Sequence, residues 1–257
     1  MPKTIGNPLS WTLGAFSSAA GYAVDVANQP EASSAPPETR ILTMSDLRLA
    51  LAKGWDDLAA MRSDVVFACL LYPLMGAVLL ALAARGDFVH LVFPVLSGFA
   101  LIGPVAALGL YEMSRKREAG LPVSWLALFD VLKSPRFPRI LMLSGINGVI
   151  FLAWILIADT IHTMTLGADA PKGLVAFLTA VATTPEGWAV AAIGTAAGFV
   201  LAAAVLAVCV VSFPLLLDRN VSLPVAVTTS VRVAREDPVV IAAWGLIVAA
   251  GLVIGTL

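Results

Sequence analysis

The sequence predicts an all-α fold, a polytopic bundle of about five transmembrane helices with short amphipathic helices at one membrane surface. Apolar residues make up 59% of the 257 positions and charged residues only 13%, at a mean hydropathy of +0.91. The core of a soluble domain of this length does not need such an excess of apolar residues. Several uncharged windows also reach the roughly 20 residues that a helix needs to cross the hydrocarbon of a bilayer.

Five uncharged windows are the predicted spans. The first lies between Asp64 and Arg85, and the last ends with the chain. The fourth window is longer than one span needs, so we expect its helix to be tilted or to continue beyond the bilayer. The windows are residues 65–84, 88–111, 140–158, 187–217 and 239–257. They define a transmembrane helical domain over residues 43–257.

Residues 1–42 are predicted to form a flexible tail and linker ahead of this domain. The tail ends in the run QPEASSAPPETR, whose Pro, Ser and Glu content is typical of a linker. The preceding stretch PLSWTLGAFSSAAGYAV is interrupted by Ser, Thr and Gly, which disfavours a cleaved signal peptide. We therefore expect a cytoplasmic tail.

The distribution of Lys and Arg predicts the orientation of the bundle, because basic residues are retained on the cytoplasmic side of a membrane. Fourteen of the 16 precede the first span or lie in the connections between spans two and three and between spans four and five. Only Arg85 and Lys172 lie on the opposite side. The N-terminus is therefore predicted to be cytoplasmic. Acidic residues are interleaved with the basic ones, so nucleic acid is not an expected partner, whereas the lipid bilayer is.

Each predicted cytoplasmic connection carries a short amphipathic segment. LPVSWLALFDVLKSP at 121–135 and LPVAVTTSVRVAREDP at 223–238 both open on Leu-Pro-Val and end on proline. A third segment, SDLRLALAKGWDDL at 45–58, offers Ser45 as a candidate N-cap. We expect these helices to lie along the membrane surface as parts of an internal repeat. The apolar stripe predicted for 223–238 consists of Val227, Val231 and Ala234.

Four stretches carry motifs of a known family. They are DLRLALAKGWDD at 46–57, LYEMSRKREAGLPVS at 110–124, TTPEG at 183–187 and SFPLLLDRNV at 212–221. These motifs resemble the bacterial integral membrane family called domain of unknown function 2189, and the resemblance runs from residue 42 to the end. It implies a multi-pass helical protein of the bacterial inner membrane, without an activity to transfer. Members of the family carry a further hydrophobic segment, so six spans are the alternative to five.

The connection between spans three and four contains a second kind of helix. Residues 173–182 are ten apolar residues, too few to span, and fit an interfacial or re-entrant helix. Thr184, Pro185 and Glu186 are a cap, a first-turn proline and a first-turn acid for span four.

Reactive side chains are few. Cys69 and Cys209 lie within spans one and four, where a thiol behaves as a small apolar group. His90 and His162 both fall near the predicted outer face, where they could share a metal ion or a haem. Two histidines without further ligands at suitable spacing are more typical of polar side chains at the membrane interface. Rossmann, Walker and metalloprotease motifs are absent from the sequence. We therefore predict a non-enzymatic protein without catalytic, cofactor-binding or metal residues.

Small and polar residues within the spans are the candidate site residues. Pairs of small residues spaced by four let helices approach closely, within one chain, between copies or with another membrane protein. The pairs are Ser144 with Gly148, Gly194 with Gly198, and Gly251 with Gly255. Asn147 is the most polar residue within a span, and is a candidate for a hydrogen bond across helices or for a substrate contact.

Three classes of function remain after this inventory, and an intramembrane enzyme has the least support among them. An accessory or assembly factor for a membrane protein complex is favoured by the small-residue faces and by the tail. A small-molecule transporter or channel is the alternative, supported by the repeats, by Asn147 and by Pro94, Pro104 and Pro214 within apolar segments. The lack of an acid or base inside the predicted spans weighs against proton-coupled transport.

Overall fold

A computed structural model of the chain describes residues 35–60, 77, 81, 90–123, 130–167 and 173–256. Regular secondary structure in these residues is helical, which confirms the predicted all-α class. The helices are α1 (Met44–Ala60), α2 (Val92–Ala106), α3 (Leu108–Glu118), α4 (Phe137–Thr165), α5 (Leu174–Thr183), α6 (Pro185–Cys209), α7 (Ser212–Asp218), α8 (Leu223–Glu236) and α9 (Pro238–Thr256). The first predicted span, 65–84, lies outside the described residues apart from two positions.

The centre of the bundle is formed by α2, α4 and α6, which all pack against one another. Pro94 and Leu101 of α2 meet Trp154 and Asn147 of α4, respectively, so α2 and α4 are antiparallel. Cys209, the last residue of α6, also meets Asn147 in the first half of α4, which makes α6 antiparallel to α4. The helices therefore share two ends. The end with Arg115, Lys116, Arg117, Arg136 and Arg219 is called the basic end, and the end with His90, Asp159 and His162 the histidine end.

Two helices of the described chain are long and apolar enough to cross a membrane. One is α4, with 29 residues and a mean hydropathy of 2.4, and the other is the 34-residue stretch Pro185–Asp218, with a mean hydropathy of 2.8. Only 22% and 39% of their apolar windows are buried, whereas the core helix of a soluble protein is mostly buried. Leu156 and Phe199, for example, are 67% and 73% exposed. These surfaces are suited to contact lipid.

The second predicted span, 88–111, corresponds to α2 and α3. The two helices are separated only by Ala107, whose backbone stays right-handed helical at φ −74° and ψ −9°. The chain therefore continues to Glu118, beyond the predicted end, and places Arg115, Lys116 and Arg117 in the last turn of α3. Basic side chains at a helix C-terminus interact favourably with the helix dipole.

The fourth predicted span, 187–217, is interrupted near its end. α6 ends at Cys209, and α7 begins at Ser212. Pro214 has no backbone N–H, and its ring conflicts with the carbonyl of residue 210, so a continuous helix is disfavoured there. The break accounts for the length of this uncharged window beyond what one span needs.

α8 covers this break and packs against α6 and α7. Its fully buried positions are Ala226, Thr229, Ser230 and Val233, one place away from the predicted stripe. Val227, Val231 and Ala234 are only half-buried. The face that meets the break carries the hydroxyl groups of Thr229 and Ser230, and the predicted stripe lies beside that face.

Of the other two predicted amphipathic segments, the structure describes one only in part and the other in full. Residues 124–129 of the first lie outside the described residues, and residues 130–133 form a 3₁₀ turn. α1 covers the third segment, but its N-cap is Thr43 instead of the predicted Ser45. The Thr43 N–H donates to the Asp46 carboxylate (2.9 Å), and the Asp46 N–H donates to the Thr43 hydroxyl (3.3 Å). This reciprocal pair is a capping box, which needs an acid three residues after the cap.

Candidate functional site

A buried polar node joins the three central helices. Asn147 of α4 is fully buried, and its Nδ2 lies 3.3 Å from the Cys209 Sγ and 3.5 Å from the Leu101 carbonyl oxygen. The Cys209 thiol in turn lies 3.3 Å from the Asn147 Oδ1. Polar groups at membrane depth need partners inside the protein, because lipid offers none. The amide of Asn147 is thus engaged by α2 and α6.

A second contact between the central helices is made by Trp154. Its indole N–H donates to the Pro94 carbonyl (2.9 Å) and lies 3.3 Å from the Ser97 hydroxyl. Its ring covers Gly198, where an added Cβ would lie 3.1 Å from the indole. Sequence reasoning did not single out Trp154. A tryptophan within an apolar window does indicate a contact, because a buried indole N–H needs a hydrogen-bond acceptor. The neighbouring sequence does not identify that acceptor.

Two glycines outside the pairs predicted from four-residue spacing also make close contacts. At Gly98 an added Cβ would lie 2.2 Å from the Phe151 ring. At Gly187 it would lie 2.2 Å from the carbonyl oxygen of Ala180, so α5 and α6 meet backbone to backbone. Gly187 is therefore required for packing within the chain, whereas a side chain at position 98 would displace the Phe151 ring.

The remaining glycines of the predicted pairs face open space. Around Gly148, Gly194 and Gly251, no neighbouring atom of the described residues lies within 4 Å of an added Cβ. Ser144 donates to the Ile140 carbonyl of its own helix (2.8 Å). Gly255 lies in α9, but its surroundings fall outside the described side chains.

An aromatic and acidic cluster occupies the histidine end. The His90 Nε2 lies 2.8 Å from the Asp159 Oδ1, and the His90 and His162 rings are stacked with centroids 4.2 Å apart. The Phe177 ring of α5 also contacts His162, tilted by 45° at a centroid distance of 5.9 Å. The structure brings both predicted histidines together. Stacked rings do not converge on a common point, and the described residues contain no group of three or more His, Cys, Asp or Glu arranged to hold a metal ion.

Ion pairs organise the basic end. Arg115 donates two hydrogen bonds, of 2.8 and 2.7 Å, to the Glu112 carboxylate, and this bonding raises the pKa of Arg115. Asp130 accepts from Lys116 and lies 3.4 Å from the Lys133 Nζ. Bonding to Lys116, and then to Lys133, lowers the pKa of Asp130. The 3₁₀ turn at 130–133 is thereby tied to α3.

The same end receives α1. Asp57 accepts hydrogen bonds from Arg117 and Ser114 of α3, and Lys53 lies 3.6 Å from Glu118. The opposite side of α1 carries Trp55, which is 70% exposed. An apolar side turned away from the bundle fits a helix that lies on a membrane surface.

Two serines close the break between α6 and α7. The Val211 N–H donates to the Ser230 hydroxyl (3.1 Å), and that hydroxyl donates to the Ala207 carbonyl (2.8 Å). The Ser212 hydroxyl lies 3.1 Å from the Ala226 carbonyl. These bonds partly replace the helical ladder that is lost at the break.

Residues 92–218, about half of the chain, match the model of the family described as "Predicted integral membrane protein (DUF2189)". This segment belongs to the DUF2189 family. No curated protein and no solved structure matches the chain. The family assignment and the exposed apolar faces of α4 and α6 together show an integral membrane protein in contact with lipid.

The DUF2189 segment runs from the first residue of α2 to the last residue of α7. It therefore contains the buried node at Asn147, most of the histidine cluster and the ion pairs around Asp130. α8 and α9 follow the match, although Ser230 of α8 completes the break inside it.

Proposed function

We propose that this protein is a non-enzymatic accessory or assembly factor for a membrane protein complex. It acts in the inner membrane of a bacterium, with the N-terminus and the basic end in the cytoplasm. A helix of another membrane protein packs against open glycines on the surface of this bundle.

The observation that carries the proposal is the exposed second half of α9. Its first half packs against α6, α8 and α1, but the half beyond Gly245 is exposed, with Leu246 and Ile254 at 70% and 73%. Gly251 lies in this half, and no neighbouring atom of the described residues lies within 4 Å of a Cβ added to it. Glycine inside a helix costs roughly 1 kcal/mol relative to alanine, and a close helix contact is the usual compensation in membranes. A helix of a partner would supply that contact.

The buried node supports a packing role over transport. The Asn147 amide, which sequence reasoning offered as a substrate contact, is engaged by Cys209 and Leu101. Pro214, which also favoured transport, lies at a helix break that Ser230 stabilises. Packing accounts for each of these features without a substrate.

The orientation is supported by the charges of the two ends. The basic end carries Arg115, Lys116 and Arg117 in one helical turn. Retention of such residues in the cytoplasm is the strongest topological preference of membrane proteins.

Affinity purification from native membranes in mild detergent tests the proposal with two matched variants of α9. We expect the wild-type protein to bring down a stoichiometric membrane protein, and Gly251→Ile to reduce its recovery about tenfold, the effect of roughly 1.4 kcal/mol. Ala249→Ile places the same side chain at an exposed position on another face of α9 and leaves the recovery unchanged.

Two results would contradict the proposal. One is a protein that purifies without any membrane partner and catalyses substrate-dependent uptake into proteoliposomes, with uptake abolished by Asn147→Ala. The other is a partner whose recovery is insensitive to Gly251→Ile.

A further inference from the structure

A polar cleft opens at the basic end, between α3, the 3₁₀ turn at 130–133 and the end of α7. Its volume is about 400 Å³, within the range of roughly 300–1,000 Å³ that small-molecule sites occupy. Its walls carry Glu112, Arg115, Asp130, Lys133, Arg136 and Leu217.

The charges of the cleft do not balance. Arg115 is neutralised by Glu112, at 2.8 and 2.7 Å. Asp130 is shared between Lys116 and Lys133, and the longer bond of 3.4 Å belongs to Lys133, whose side chain is 81% exposed. One carboxylate therefore faces two ammonium groups.

Arg136 adds a second unbalanced charge. Its guanidinium donates to the Leu217 carbonyl, and no carboxylate among the described residues pairs with it. Asp218, at the end of α7, lies 3.8 Å from Arg219, so that pair adds no net charge. The residues that line the cleft carry three cationic side chains and two carboxylates, an excess of one positive charge. Lys116, which bonds Asp130 from outside the lining, adds a second.

We propose that this cleft binds a phosphate group through Lys133 and Arg136, in the form of an anionic phospholipid headgroup or a soluble phosphate ester. Arg and Lys donate charge-assisted hydrogen bonds that match phosphate oxygens. Basic pockets between helices at the cytoplasmic ends of membrane proteins bind lipid headgroups in this way.

The position of the cleft favours an anion for a further reason. Ser134, Pro135 and Arg136 lie directly before α4, a helix of 29 residues whose N-terminus carries the positive end of its dipole. The cleft also lies at the end of the two helices suited to cross the membrane, which is the depth of lipid headgroups. The inference does not depend on the proposed accessory role.

Lipid binding by the full-length protein in nanodiscs tests the site. The probes are phosphatidylglycerol, mixed into phosphatidylcholine discs, and glycerol phosphate, added to discs of phosphatidylcholine alone. Native mass spectrometry counts the retained phosphatidylglycerol, and thermal denaturation reports stabilisation by either probe.

We expect phosphatidylglycerol to bind and stabilise the wild-type protein. Lys133→Gln and Arg136→Gln each weaken this binding about tenfold, as expected for the loss of one bond to a charged group. Arg235→Gln removes an exposed charge of α8 away from the cleft, and leaves binding unchanged. Stabilisation by glycerol phosphate with the same dependence on Lys133 and Arg136 would assign the site to a soluble ester.

Equal binding by wild type and Lys133→Gln would overturn the proposal, as would an equal loss in Arg235→Gln, since that shows general charge attraction. Lys133→Gln is the decisive variant. The Lys133 side chain is largely exposed, whereas Arg136 also bonds the Leu217 carbonyl, so Arg136→Gln has an additional structural effect.

Discussion

Individual polar side chains at membrane depth are used for packing in this protein. Asn147 connects α4 to Cys209 of α6 and to the Leu101 carbonyl of α2. The sequence identified Asn147 as unusual, since it is the most polar residue of an apolar window. It did not identify the partners, because Leu101 and Cys209 lie 46 and 62 positions away and only the tertiary fold brings them near.

Replacing Asn147 by leucine is expected to destabilise the bundle. The apolar isostere removes the cross-helix bonds, which are typically worth about 0.6–1.7 kcal/mol in membrane proteins, and leaves the Cys209 thiol without its acceptor. Thermal denaturation in detergent checks this.

Ser144→Ala is the matched control, because the Ser144 hydroxyl bonds only to the Ile140 carbonyl of its own helix. It is expected to leave the melting temperature nearly unchanged. Equal stability of Asn147→Leu and wild type would show that the node contributes nothing.

At the scale of elements, local sequence signals were reliable where the structure is also local. Thr184, Pro185 and Glu186 begin α6 as predicted, and the Thr184 hydroxyl accepts the Gly187 N–H at 3.0 Å. The capping error at α1 has a local cause too, since Thr43 and Ser45 are both hydroxyl residues and only Asp46 selects between them. The break at residues 210–211 was missed because hydropathy does not register the missing N–H of Pro214.

The link between α8 and this break is open to a direct test. Ser230→Ala leaves the Val211 N–H without its acceptor, and an unsatisfied buried group costs about 1–3 kcal/mol. Thr228→Ala is the control on the same helix, since the exposed Thr228 hydroxyl bonds only within α8. We expect a lowered melting temperature for Ser230→Ala alone. The same loss in both variants would mean that helix propensity, not the break, is responsible.

The turn at 130–133 gives the basic end a dependence on pH. The lysines hold the pKa of Asp130 below its ordinary value of 3.8, so the ion pairs contribute fully above that value. Their contribution is lost as the pH falls through the lower folded-state pKa. We expect acidification below about pH 4 to loosen the turn, measured by hydrogen exchange of residues 130–136. Asp130→Asn should show the loosened turn at neutral pH, and an acid-insensitive wild-type turn would refute the role of Asp130.

At the scale of the whole molecule, composition alone predicted a helical membrane protein, and the family match agrees with it. The sequence did not predict which helices pack together, because an apolar window contains no signal that identifies the helix it contacts. The contacts that fix the pairing are single side chains, such as Trp154 on Gly198 and Phe151 on Gly98. Spacing by four did not distinguish these packed glycines from the open ones at Gly148, Gly194 and Gly251.

In the proposed topology, α4 and α6 cross the bilayer with the basic end in the cytoplasm. α4 alone is about 44 Å long at 1.5 Å per residue, more than the roughly 30 Å of hydrocarbon. Lys133 lies before its first turn, Met164 lies in its last turn with 81% exposure, and Phe199 lies near the middle of α6.

The measurement that tests this topology is the labelling of single cysteines by a membrane-impermeant maleimide, in a background carrying Cys69→Ala and Cys209→Ser. Met164→Cys should label in intact spheroplasts, Lys133→Cys only after lysis, and Phe199→Cys only after denaturation in detergent. Labelling of Phe199→Cys in intact spheroplasts or after simple lysis would contradict a membrane-crossing α6, and labelling of Lys133→Cys before lysis would contradict the orientation.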